Sequence, residues 1–361
     1  MVAQATNESG GKQQYWADRP KATDWTYDTP FQMPLEILIE LANTIQSDAW
    51  FNVPHKASHD YIQNMAQLIK DKLDPNLKCF IEYSNEIWGF NSATLEQQGW
   101  WINNRAATEH ADANVRAVLS TKNTLQERGA YLIKRTNAIF EDVFTGSDRT
   151  RLITVCPSLG GVGDLRRWVI NYQMDTTNEI PRNVKPDRLT VGFYYWVGGS
   201  YQNTSSIIAG WESNPSIVNA GLILQTARDN WDNFEINKVG TTSGQWISDI
   251  NIFKEYDIPW CAYEGGNHFS YTGSNAQIQQ AFLDAQTHPS MYQLTKDIFE
   301  FAKKHGCREF IYFVYLTRRE LTQQLLAVME NEAQAFLTGQ QLMEAAPKYK
   351  AVLDANTITK Q

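Results

Sequence analysis

The chain has 361 residues and a formal net charge of −8, with a pI near 5.4 and no block of Lys or Arg. This balance excludes nucleic acid or an anionic membrane surface as the main partner and favours a neutral substrate. No stretch approaches the roughly 20 apolar residues that span a bilayer, and the polar residues 1–14 show no signal peptide. A hydrophobic content of 42% suffices for a sizeable core, and one large domain is expected, because barrels with a single core run to about 250 residues or more.

Residues 1–32 carry neither a period-2 nor a 3.6-residue pattern and are expected to be irregular. Leu35, Leu38, Ile39, Ala42 and Ile45 recur at helical spacing behind Pro34 and predict a helix. Ala49 to Val53 predicts a short strand stopped by Pro54. Ser58 then caps a helix whose face is Tyr61, Met65, Ile69 and Leu73. A strand over about 78–84 follows, so strand, helix and strand make a right-handed parallel crossover. An inserted loop is expected near 90–125, then a helix with Leu132, Ile139, Phe140 and Phe144 on one side. Further strands are predicted over 151–156 and 189–196, the second too continuously apolar for a sheet with one wet face. A second inserted loop region with helical pieces is expected near 197–240, then a helix around 244–256. The strand from Ile258 is read as ending at Glu264. A helix bearing Met291, Leu294, Ile298 and Ala302 closes at Gly306 in a left-handed cap. The last strand is read over 308–316, before a helical tail. Six strands separated by helices define an α/β fold, either a (β/α) barrel or a doubly wound sheet.

Two carboxylates stand out. Glu86 follows an apolar strand directly, where parallel α/β folds hold their working side chains at the carboxyl ends of strands. Taken alone it could equally be a helix N-terminal carboxylate favoured by the helix dipole. Glu264 closes a second predicted strand, and two such carboxylates suit glycoside hydrolysis, with one giving a proton while the other stays ionised. Trp50, Trp88, Trp196 and Trp260 lie at or near strand ends, where indole faces can stack on sugar rings; each taken alone reads more readily as core or loop packing. His55 and His59 have a metal-ligand spacing, but Pro54 and the Ser58 cap leave His55 outside the helix, so no metal site is expected. Gly160, Gly161 and Gly163 are read as a flexible rim loop, since they lack a full phosphate-binding pattern. Cys79, Cys156, Cys261 and Cys307 are too far apart in sequence for a zinc or redox pair and read as buried thiols.

With Asn85-Glu86 and Tyr263-Glu264 in place, the chain resembles the clan of retaining (β/α)8-barrel glycoside hydrolases that includes cellulases, mannanases and β-glucosidases. The stretch from Trp50 to Trp88 also resembles bacterial secreted proteins often labelled cellulose-binding. The resemblance implies a TIM-type barrel catalytic domain over about 33–355, with Glu86 as acid/base, Asn85 on the sugar 2-hydroxyl and Glu264 as nucleophile. It further implies that Tyr195, or less directly Tyr194, hydrogen-bonds the nucleophile, and that His55 ends the third strand. Together with Trp88 and Trp196, these residues form the expected substrate site. The implied partner is a carbohydrate, with no cofactor, no nucleic acid and no membrane. Two departures matter. The last strand ends in Tyr315-Leu316-Thr317 without the clan's Trp, and nothing before residue 49 can serve as strands one and two. The barrel is therefore expected to be incomplete, a truncated form of a longer enzyme that in full length is extracellular or periplasmic. A non-catalytic carbohydrate-binding protein on the same scaffold is the alternative.

Overall fold

The computed structural model describes residues 14–24, 33–87, 97–157, 163–197, 204–232, 245–314, 327, 329–330 and 332–358. The chain falls into two compact units, Met1–Thr190 and Val191–Gln361.

The first unit opens with helix α1 (Leu35–Ile45), strand β1 (Ala49–Val53), helix α2 (His59–Lys72) and strand β2 (Cys79–Tyr83). These elements follow the expected order, for the expected reasons. Leu35, Leu38, Ile39 and Ala42 are the buried face of α1, and the Ser58 hydroxyl caps α2 by accepting from the Tyr61 amide at 3.1 Å. Before α1, the described residues 14–24 hold only a short 3-10 turn at Trp16–Asp18.

The stretch expected to be a loop near 90–125 is corrected where it is described. It forms three short helices, α3 (Gln98–Asn104), α4 (Ala106–Glu109) and α5 (Ala113–Leu119). Each buries only a few apolar side chains, among them Trp101, Ile102, Ala106, Val115 and Leu119, so no long periodic pattern marks them. Asp112 ties them to the rest of the unit, pairing with Arg135 at 2.6 Å and accepting from the His59 amide at 2.8 Å. Helix α6 (Leu125–Val143) starts at a capping box in which Thr124 and Glu127 satisfy each other's backbone amides. Strand β3 (Leu152–Pro157), helix α7 (Gly163–Met174) and the start of β4 (Arg188–Val197) complete the unit. Gly163 opens α7, while Gly160 and Gly161 lie outside the described residues.

The strands of this unit are parallel and adjacent in chain order. Ala49 to Val53 pairs with Cys79 to Tyr83, Cys79 to Ile81 with Leu152 to Thr154, and Val155 to Pro157 with Arg188 to Thr190. Because side chains alternate across a strand, Ala49, Phe51, Val53, Cys79 and Ile81 share one face and pack with α1, α2 and α6 in a single core. The other face carries Trp50, Asn52, Phe80 and Glu82.

The second unit holds the rest of β4, helices α8 (Thr204–Ser213), α9 (Ala220–Asn230) and α10 (Gln245–Glu255), and strand β5 (Trp260–Phe269). Helices α11 (Ala276–Ala285) and α12 (Pro289–Lys304), strand β6 (Cys307–Tyr312) and helices α13 (Gly339–Ala345) and α14 (Pro347–Ile358) follow. Met291, Leu294, Ile298 and Ala302 are the buried face of α12 as expected, and Gly306 ends it at φ +92°. β5 and β6 are parallel, with register shifts along the pair. Phe193 is the centre of an aromatic core, its ring 5.5 Å from Trp231, 5.4 Å from Trp260 and 5.9 Å from Phe310. Among the described residues the fold is thus α/β with six strands, every described pairing parallel, and no helix is long and apolar enough to cross a membrane. The last strand ends at Tyr312, and Tyr315 to Thr317 lie outside the described residues.

Candidate functional site

The most chemically loaded place in the first unit is the carboxyl end of β1 and β2. β2 stops at Tyr83, and the chain then turns through Ser84 at φ 61° and Glu86 at φ 45°. Two non-glycine residues in the left-handed region within three positions are costly and persist only where surrounding bonds over-determine them. Those bonds are present. The Ser84 amide donates to the Val53 carbonyl at 2.8 Å, the Ser84 carbonyl accepts from Asn52 Nδ2 at 2.6 Å, and the Asn85 carbonyl accepts from Gln98 Nε2 at 2.7 Å. The turn leaves Asn85 and Glu86 partly exposed.

Beneath this turn lies a residue that sequence reading passed over. Glu82 is 1% exposed, and its Oε2 accepts from both Trp50 Nε1 and Asn52 Nδ2, each at 3.0 Å. Among the described residues no group hydrogen-bonds Oε1. Burial pushes the Glu82 carboxyl up to about 8; the Trp50 and Asn52 bonds oppose the rise, and the negative charge of Glu86 adds to it. At neutral pH Glu82 is therefore mostly the neutral acid. Trp50 is fixed in turn by stacking on Phe80, with ring planes 1° apart. Its indole belongs to this buried layer and offers no face to a sugar. One signal in the sequence pointed here: Trp50-x-Asn52 and Phe80-x-Glu82 fall in register on the strand face opposite the apolar core.

His55 lies just past β1, as the resemblance implied, but it is buried rather than open to a substrate. Its ring packs edge-on to Trp101 with centroids 5.4 Å apart, its carbonyl accepts from the Tyr83 hydroxyl at 2.8 Å, and burial together with the Lys56 charge lowers its pKa to about 3. It is a neutral imidazole inside the unit. His59 is exposed in the first turn of α2, so the two histidines occupy different environments. Among the described residues no three His, Cys, Asp or Glu side chains gather as a metal-binding group. Trp88 lies outside the described residues.

In the second unit the expectation that a strand ends at Glu264 is corrected. β5 continues to Phe269, with Glu264 in its middle and partly exposed. Gly265-Gly266 reads as a stop in sequence but serves close approach instead. A Cβ on Gly265 would lie 2.4 Å from the Phe193 carbonyl oxygen and 2.8 Å from the Phe310 ring, and one on Gly266, at φ +123°, would lie 2.5 Å from the Tyr312 ring. Tyr195 is also corrected. It is fully buried, and its hydroxyl bonds Thr295 at 3.0 Å and Met291 Sδ at 3.5 Å, both on α12. The neighbours Tyr194 and Trp196 turn the other way and meet His268, with ring centroids 5.5 Å and 4.3 Å from it. Trp260 is core, donating its indole N–H to the His305 carbonyl at 3.0 Å.

These features define an α/β protein whose parallel strands deliver Asn85-Glu86 on a braced turn beside a buried acid. No protein-family profile matches the chain, and no curated protein matches it. It is similar, at 13% identity and a TM-score of 0.40, to a solved structure described as a trimodular GH5_4 subfamily endoglucanase, over 96% of this chain and 60% of that one. At that identity and score the likeness carries no conclusion about activity.

Proposed function

We propose that the chain is a retaining β-glycosidase acting on a β-linked polysaccharide or oligosaccharide. The observation that carries this reading is the placement of Asn85 and Glu86, partly exposed just past the end of a parallel strand in a turn whose residues Ser84 and Glu86 are left-handed. In the reaction Glu86 gives a proton to the leaving glycosidic oxygen while the Glu264 carboxylate attacks the anomeric carbon, so the glycosidic bond breaks and a glycosyl ester forms. Glu86, now ionised, takes a proton from water, whose oxygen attacks the anomeric carbon and releases Glu264; two inversions give retention. Asn85 serves the sugar 2-hydroxyl, and Trp196, partly exposed, offers an indole for stacking. The step needs no cofactor.

One observation favours the alternative, a carbohydrate-binding protein without turnover: β5 runs on past Glu264 to Phe269. Treatment with a 2-fluoro glycoside separates the two. The glycosidase reading expects a covalent mass increase on the Glu264 peptide, loss of turnover in Glu264→Ala, and activity of Glu86→Ala restricted to substrates with good leaving groups. Binding without label or turnover favours the binder, and variants as active as the parent overturn the assignment.

A further inference from the structure

The Asn52 amide stands between two acceptors of different kinds. One is Glu82 Oε2 at 3.0 Å, and the other is the Ser84 carbonyl at 2.6 Å. The second lies in the turn whose residues 84 and 86 have positive φ. Asn52 and Glu82 are each 1% exposed, so neither bond is contested by solvent, and a buried polar pair of this kind is rigid where surface pairs are not. The remaining polar atoms of the cluster, Asn52 Oδ1, Glu82 Oε1 and Ser84 Oγ, are buried with no hydrogen-bond partner among the described residues. That is an expensive arrangement for a layer whose only task is packing.

We propose that Asn52 and Glu82 are positioning residues for Glu86: the Glu82 carboxyl orients the Asn52 amide, and that amide fixes the Ser84 carbonyl and so the turn presenting Asn85 and Glu86. The proposal rests on the glycosidase reading for its consequence, proton delivery by Glu86, and on geometry alone for the brace. Trp50 completes it from the other side, since its N–H shares Oε2 with Asn52 and leaves the carboxyl one orientation. Glu82→Gln retains a carbonyl oxygen for both donors, whereas Glu82→Leu retains none. Asn52→Asp keeps the volume of Asn52 and removes the N–H that holds Ser84.

Two measurements on the full chain test this. The first compares aryl β-glycosides with a good and a poor leaving group. Misplacing a proton donor by about 1 Å costs on the order of 100-fold, so Asn52→Asp and Glu82→Leu should lower kcat/KM, which reports the proton-assisted first step, by roughly 10- to 100-fold on the poor leaving group. With the good one kcat/KM should stay near the parent, and Glu82→Gln should recover most of the loss. An equal loss of kcat/KM on both substrates, or no loss, overturns the positioning role. The second is hydrogen exchange of the peptide spanning residues 83–87, which should speed up by about tenfold or more in Asn52→Asp while peptides of α6 do not change. Unchanged exchange at 83–87 shows that there is no brace. A parent that turns over neither substrate defeats the glycosidase reading, and the exchange result then decides the brace by itself.

Discussion

Glu82→Gln isolates the energetic consequence of burying an acid under the turn. The carboxyl is pushed from its ordinary 4.5 up to about 8, chiefly by burial. Below pH 4.5 it is protonated in both the folded and the unfolded chain, so its contribution to stability is fully present there. As pH rises from 4.5 to about 8 the unfolded chain ionises while the folded one does not, and stability is lost; above 8 both are charged and the loss levels off. At about 1.4 kcal/mol for each pH unit, the window corresponds to about 5 kcal/mol. Gln at this position accepts the same two N–H bonds and does not titrate. Urea unfolding of parent and variant from pH 4.5 to 9 should show the variant gaining on the parent steadily and reaching a plateau near pH 8, with a difference of several kcal/mol. The buried histidines run the opposite way. His55, lowered to about 3, and His110, lowered to about 4, hold stability above 6.5 and lose it as pH falls, and they cancel in the difference between the two proteins. A parent-minus-variant difference that is flat between pH 5 and 8 would refute a buried neutral acid at 82.

His55→Gln should flatten the acid limb of the parent's stability curve between pH 6.5 and 3, the window set by the lowered imidazole; tryptophan fluorescence during acid titration reads this, and an unchanged acid midpoint counts against a buried neutral His55. Gly265→Ala places a methyl 2.4 Å from the Phe193 carbonyl oxygen and should cost about 2–4 kcal/mol in the second unit, measured by chemical denaturation; a neutral substitution would show that β5 is not held this close. Tyr195→Phe removes the hydroxyl bond to Thr295 and should cost about 1 kcal/mol of stability with kcat unchanged; a fall in kcat without loss of stability would return Tyr195 to the substrate site. Thr124→Ala, which breaks the capping box of α6, should cost about 1 kcal/mol by the same denaturation assay.

The elements legible in the sequence are those whose burial is one-sided and local. Leu35, Leu38, Ile39 and Ala42 fall on one helical face, and so do Met291, Leu294, Ile298 and Ala302; Ser58 and Gly306 punctuate helices by chemistry that needs no tertiary partner. Asn85-Glu86 was visible because polar residues break an apolar strand abruptly. What escaped depends on distant contacts. Gly265-Gly266 reads as a turn because nothing in its own neighbourhood reveals the Phe310 and Tyr312 rings that demand two missing side chains. The short helices over 98–119 are held by Arg135 and Asp112, partners 23 positions apart in sequence.

Glu82 is the most instructive of these omissions. In Ile81-Glu82-Tyr83 a lone acid within an apolar strand reads as the wet face of a one-sided sheet. Only the parallel register with β1, 30 residues earlier, covers that face with Trp50 and Asn52 and turns a surface charge into a buried acid. A chain selected for stability alone would favour Gln or an apolar residue there, since the neutral pH cost is several kcal/mol. The cost sits in the strand whose end carries Asn85 and Glu86, and it keeps a second negative charge away from Glu86 up to pH 8.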